Sequence, residues 1–176
     1  MAEVEIHTGH HDHSADPFGQ TVGVAVGVIG IILAVVTIGS HRAHNAAVIF
    51  RTEENDLWSF YQAKKGRQQV LDVGADLARA LSTDESRVQA IVDKYTQQSA
   101  RYAEETKKLN EDAKDKGDET KREEGRAVRL DIGEGFLELG LVMSSLYFLS
   151  KRKFFPVIGF AAAAIGTVLG VMGFLA

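Results

Sequence analysis

Residues 21–39 read TVGVAVGVIGIILAVVTIG, 19 positions with no charge and nothing more polar than threonine. A hydrocarbon core needs about 20 such residues at about 1.5 Å of rise each. The run predicts a first membrane span over 21–40. A cleaved signal peptide would want a basic lead and a shorter apolar stretch. Residues 1–20 instead carry Glu3, Glu5, Asp12 and Asp16 and no lysine or arginine. The expectation is a retained anchor behind a disordered His- and acid-rich tail. Asp16-Pro17 marks the helix start, an acidic N-cap followed by proline at the first helical position.

A second run, Phe154–Ala176, has 23 residues and no charge. Between the two lies a weaker candidate, 131–150, in which Gly133, Glu134, Gly135, Glu138 and Gly140 precede the apolar Leu141–Leu149. Only Lys151-Arg152-Lys153 separates it from the last run, so the pair reads as a membrane hairpin. The alternative for 131–150 is an amphipathic helix lying in the interface.

The remaining segment, 41–130, holds 17 Lys+Arg and 17 Asp+Glu. It is densely charged yet neutral, and the whole chain has a net charge of -4. No basic patch points to nucleic acid. With no cysteine in the chain, disulfides, thiol catalysis and Cys-ligated metals are excluded. The prolines are Pro17 and Pro156 alone, so 138 intervening positions are free of the residue that breaks helices. Val88, Tyr95, Tyr102 and Leu109 recur every seven residues, which is the coiled-coil period. Ile91, Val92 and Ala113 stand near the complementary seam. Upstream, Leu57, Tyr61, Leu71, Ala75 and Ala78 share a face, weakened at Gly66 and Gly74 by about 1 kcal/mol each relative to alanine.

Ser82 with Glu85 three residues on fits a capping box, which puts a turn near 82–83. From Ser40 to Leu81 is 42 residues, about 63 Å of helix. From Asp84 to Leu130 is 47 residues, about 70 Å. The near match predicts an antiparallel, coiled-coil-like hairpin standing off the bilayer. A partly disordered charged linker over 110–125 is the rival. The fold class expected is thus an all-α membrane protein, three transmembrane helices with a long helical arm between the first and second.

Residues 51–65 read RTEENDLWSFYQAKK, and this stretch resembles the bacterial membrane family DUF4337, a domain of unknown function. The likeness covers the whole chain: acidic tail, one span, charged helical arm, then two spans around a short basic loop. The motif residues are Asn55, Asp56, Trp58, Tyr61, Gln62, Ala63 and Lys64. The resemblance implies a bacterial inner-membrane location and brings no activity with it. Physically, Trp58, Phe60 and Tyr61 are expected to pack on the returning helix, and the motif is a candidate interaction surface for a protein partner.

Three further groups of residues invite a functional reading. Glu134 and Glu138 lie four apart inside a predicted span, where a carboxylate is expensive. A structural pair at the membrane edge is expected, with His41 and Arg42, and His44 beyond them, brought level with Glu134 by the returning arm. Proton or cation handling is the alternative. Gly23 and Gly27 in the first span, with Gly159, Ala163, Gly166, Gly170 and Gly173 in the last, form small-residue faces that let helices approach closely in lipid. Packing of the three spans on one another is one use; self-association is another, and with the coiled-coil seam a homo-oligomer is expected. His7, His10, His11 and His13 form a metal-like tract, but without a frame it is expected to be a polar tail. No cofactor is expected.

The three-residue basic loop at 151–153 votes for the cytoplasm. That places the arm outside, in the periplasm, against a weaker opposite vote from Arg42 after the first span. No phosphate-binding loop, dinucleotide fingerprint, Ser/His/Asp set or zincin motif occurs. The sequence therefore points to a non-enzymatic scaffold or interaction module in the bilayer, with a small channel or transport-associated subunit as the alternative.

Overall fold

A computed structural model describes residues 16–81 and 84–176 as three helices. Helix α1 runs Pro17–Leu81, α2 runs Glu85–Ser150 and α3 runs Phe154–Leu175. At 65 and 66 residues, α1 and α2 are each about 98 Å long. They pack antiparallel along their whole length, and α3 lies back along the end of α2. Each of the three contains a stretch long and apolar enough to cross a membrane. Span and arm are not separate pieces, because α1 and α2 pass from one to the other without a break. The 110–125 segment is continuous helix, so the linker alternative fails there. Several of its charges are paired along the helix or across it, as Lys121 with Asp118 and Lys116 with Glu119 and Glu53.

A seven-residue seam explains the packing. On α1, the positions Val22, Ile29, Val36, Ala43, Phe50, Leu57, Lys64, Leu71 and Ala78 recur at intervals of seven, and every one is buried or half-buried. The companion set from Val26 through Ser40, Ala47, Glu54 and Tyr61 to Ala75 is covered likewise. On α2 the expected Val88-Tyr95-Tyr102-Leu109 series continues through Lys116, Glu123, Leu130, Leu137 and Ser144. Its complement is Val92, Ser99, Thr106, Ala113, Thr120 and Ala127, all buried. Ile91 falls outside the seam and is exposed. The complement was hard to see because its members are small and half of them are polar. Small residues there let the two backbones run close, and the hydroxyls are satisfied: Ser99 donates to Asp72 at 2.6 Å, and Thr106 and Thr120 donate to carbonyls of their own helix.

The helix ends have local causes. Asp16 accepts from the Gly19 backbone N–H at 2.8 Å and caps α1 with Pro17 behind it, as expected. The start of α2 differs from expectation. Its N-cap is Asp84, not Ser82. Asp84 is extended (φ -91, ψ 94) and its carboxylate reaches the Arg87 N–H at 3.3 Å. An aspartate one residue before the helix is as good a cap as serine and carries a charge suited to the positive helix end. The turn at 82–83 and the His7–His13 tract lie outside the described residues. The α2–α3 turn closes through Lys151, in the left-handed region at φ 53, whose N–H donates to Tyr147 O at 2.7 Å.

The apolar end of the rod is packed through glycine. A Cβ on Gly133 would stand 2.8 Å from Gly170 N, on Gly140 2.7 Å from Gly159 O, and on Gly166 2.6 Å from Gly133 O. These backbones touch, so the small-residue face of α3 is used within the chain, against α2. Gly170 also meets Val36 of α1. Leu130, Leu137, Ala163, Ile29, Val36, Ala43 and Ala127 close the core there.

Candidate functional site

Where the rod enters its apolar end, α1 turns Thr37, Ser40 and His44 toward α2, spaced three and four residues apart as one helix face. From α2, Asp131 and Glu134, also three apart, meet them. Thr37 donates to Glu134 at 2.6 Å. Ser40 donates to one Asp131 oxygen, and His44 Nε2 meets the other at 2.9 Å. Asp131 stands between the serine and the histidine, so they do not form a nucleophile–base pair. The layer can hold α1 and α2 in register.

The expected partners of Glu134 are thus revised. His41 and Arg42 are exposed and make no hydrogen bond or ion pair among the described residues. The seam turns positions 37, 40 and 44 inward and leaves 41 and 42 outside. His44 is in the layer, but it pairs with Asp131. Glu138, one turn beyond Glu134, is exposed and bonds to no described residue. The two glutamates share a side of α2, yet only Glu134 is brought against α1.

Asp131 was legible in outline, being three residues before Glu134, as were Thr37, Ser40 and His44 by their spacing. A second cluster carried no such signal. At the far end of the spans the Tyr147 hydroxyl donates to both Asp16 oxygens, at 3.0 and 3.2 Å, and Lys151 Nζ lies 3.2 Å from the same carboxylate. Phe18 packs edge-on against Tyr147 with ring centroids 5.0 Å apart, and Lys153 sits over Phe18. The Gly19 N–H foremost, with Lys151 and Tyr147 adding to it, holds the Asp16 carboxyl below the usual carboxylate range despite partial burial.

The arm motif divides by the same seam. Tyr61 and Lys64 face α2. Trp58 is half-buried, donates to Glu54 at 3.3 Å and meets Tyr61 edge-on at 5.6 Å. Lys64 pairs with Glu105, which Arg101 also holds at 2.8 Å. Lys64 first, then Arg101, lowers the Glu105 pKa. Asn55, Asp56 and Gln62 are exposed. Phe60 is exposed as well, at 60%, so it does not pack on α2 as expected. It stands about 60° around the helix from Leu57 and about 100° from Tyr61, on the flank of the seam. Further along, Lys116 bridges Glu53 at 3.0 Å and Glu119 at 2.8 Å and sits over the Phe50 ring. Arg51 pairs with Glu124.

The glycine faces separate in the same way. Gly166 and Gly170 are covered. A Cβ on Gly23 would meet only the Phe148 ring, at 3.8 Å, among the described residues, and one on Gly27 or, on α2, Gly135 would meet no described residue within 4 Å.

Among the described residues no three His, Cys, Asp or Glu side chains converge as a metal cage. No curated protein and no solved structure matches the chain. The family model for a domain of unknown function, DUF4337, matches residues 18–176, which takes in all three helices but for Pro17. The chain, with its two long helices sharing one seam and its glycine-packed end, belongs to the DUF4337 family.

Proposed function

We propose that this protein is a non-enzymatic, homo-oligomeric scaffold of the bacterial inner membrane, holding a helical arm in the periplasm for a protein partner. One observation carries the reading: the seven-residue seam runs unbroken from Val22, inside the first apolar stretch, to Ala78 near the tip. A helix pair packed at every turn transmits position rigidly from the bilayer to a point about 60 Å away. Ion pairs across the rod, Arg51–Glu124, Lys64–Glu105 and Lys116–Glu53, tie the two helices of the arm together, which suits a post. The open Gly23–Gly27 flank supports contact between copies, and the basic loop at 151–153 supports the periplasmic arm.

The test has two parts. Native mass spectrometry of the full chain from nanodiscs is expected to give an oligomer, and a monomer would overturn that element. A Leu81→Cys variant is expected to react with an impermeant maleimide in intact spheroplasts; labelling only after lysis would reverse the topology. A second reading, a channel or transport-associated subunit, is favoured by the exposed Glu138. Proton or cation flux in liposomes that Glu138→Gln abolishes would put it first.

A further inference from the structure

On the outer flank of α1, bordering its contact with α2, Ala63, Gly66, Val70, Val73 and Leu77 follow one another at steps of three, four, three and four. That spacing is the face one helix offers another. Val70 is 72% exposed, Val73 57% and Leu77 52%. Gly66 leaves the middle of this face open, with nothing within 4 Å of a Cβ placed there. A shallow groove runs along it, lined by Ala63, Gly66, Val70, Leu71 and Tyr102, and continues past Val73 and Gly74 to Leu77.

The groove is apolar along its length and cationic at one end. There Lys64, Arg67 and Arg101 stand around the single carboxylate of Glu105, with Gln98 and Tyr102 beside them. That is three positive charges against one negative. Lys64 and the Nε of Arg101 are taken by Glu105. Arg67, Gln98 and the Tyr102 hydroxyl bond to no described residue, and all three line both the polar end and the apolar floor.

We propose that this groove docks an acidic amphipathic helix of a partner protein, its apolar face on Val70, Val73 and Leu77 and its Asp or Glu residues at Arg67 and Arg101. From Lys64 to Leu77 the floor is about 20 Å long, the length of a helix of about 13 residues. Arginine forks bind carboxylates in two-point fashion, and helix-in-groove recognition places its anchors at this spacing. A second copy of the chain is the poorer occupant. Copies held in one bilayer by the same spans stand at equal height, so a parallel pair would set Arg67 against Arg67. The proposal rests on the reading of the arm as an interaction surface and names the chemistry of its partner.

A displayed library of 14-residue helices, selected on the full chain in nanodiscs and counter-selected on an Arg67→Glu/Val70→Asp variant, tests it. Winners are expected to carry apolar residues at alternating three- and four-residue steps and acids within one turn of one end. A synthesised winner should lose about tenfold in affinity against Arg67→Glu alone, roughly 1.4 kcal/mol. Lysine in place of its acids should recover binding to Arg67→Glu. Winners without acids, indifference to Arg67→Glu, winners that repeat the chain's own 63–77 face, or no winner that survives the counter-selection would each overturn it. Native mass spectrometry of the same nanodiscs without helix reads the scaffold independently. A monomer that binds acidic helices removes the oligomer and keeps the groove; an oligomer that binds none removes the groove alone.

Discussion

The hydroxyl of Tyr147 donates to the carboxylate of Asp16 at 3.0 Å across 131 residues of sequence, joining the first residue before α1 to the last turn of α2. The carboxylate also caps α1 through Gly19 and meets Lys151, so one group ties together the start of α1 and the turn before α3. Tyr147→Phe and Asp16→Asn are each expected to lower the melting temperature, and the double variant to fall short of their sum, as coupled neighbours do. Additive losses would show that the two side chains act independently.

Acid should expose the same group. Its pKa is lower folded than unfolded, so its contribution is present above the ordinary carboxylate range and fades as pH falls through the lowered folded value. Glu105, lowered by Lys64 and Arg101, has the same sign at the arm. Melts from pH 7 to pH 3 should show Asp16→Asn and Glu105→Gln approaching wild type in acid. A gap that stays constant with pH would contradict the assignment.

Gly166→Ala and Gly140→Ala put a Cβ 2.6 and 2.7 Å from backbone carbonyl oxygens, which cannot swing aside. Overpacking of this kind costs about 1–3 kcal/mol, read as a lower melting temperature in detergent. Gly27→Ala and Gly135→Ala meet no described residue within 4 Å, and helix propensity alone should favour each by about 1 kcal/mol. If either instead weakens the oligomer in native mass spectrometry, the contact between copies runs along that flank.

Thr37→Val leaves Glu134 without its only hydroxyl donor among the described residues. The variant should destabilise the pure protein, and Glu134→Gln should add little to it. Arg42→Gln, whose side chain is exposed and unbonded, should leave melting unchanged. A loss at Arg42 comparable with that at Thr37 would mean that the arginine reaches Glu134 in the bilayer.

Much of this molecule was written along the chain. Apolar length marked the spans, the scarcity of proline allowed helices of 65 and 66 residues, and Val88, Tyr95, Tyr102 and Leu109 announced the period of the rod. Those features are local or strictly periodic, so one strand of sequence suffices to see them. Partner choice was not local. Whether Arg42 or Thr37 faces Glu134 depends on a rotation of about 140°, the angle between positions five apart on a helix, between two elements almost a hundred residues apart, and that rotation is fixed by the summed packing of the whole seam. The same summation put Ser99, Thr106 and Thr120 inside although they are polar, turned Phe60 outward although it is aromatic, and sorted the glycines into Gly166, pressed on a backbone, and Gly27, with no described residue against it. Composition named the residues able to fill those places; only the register of α1, α2 and α3 decided which of them did.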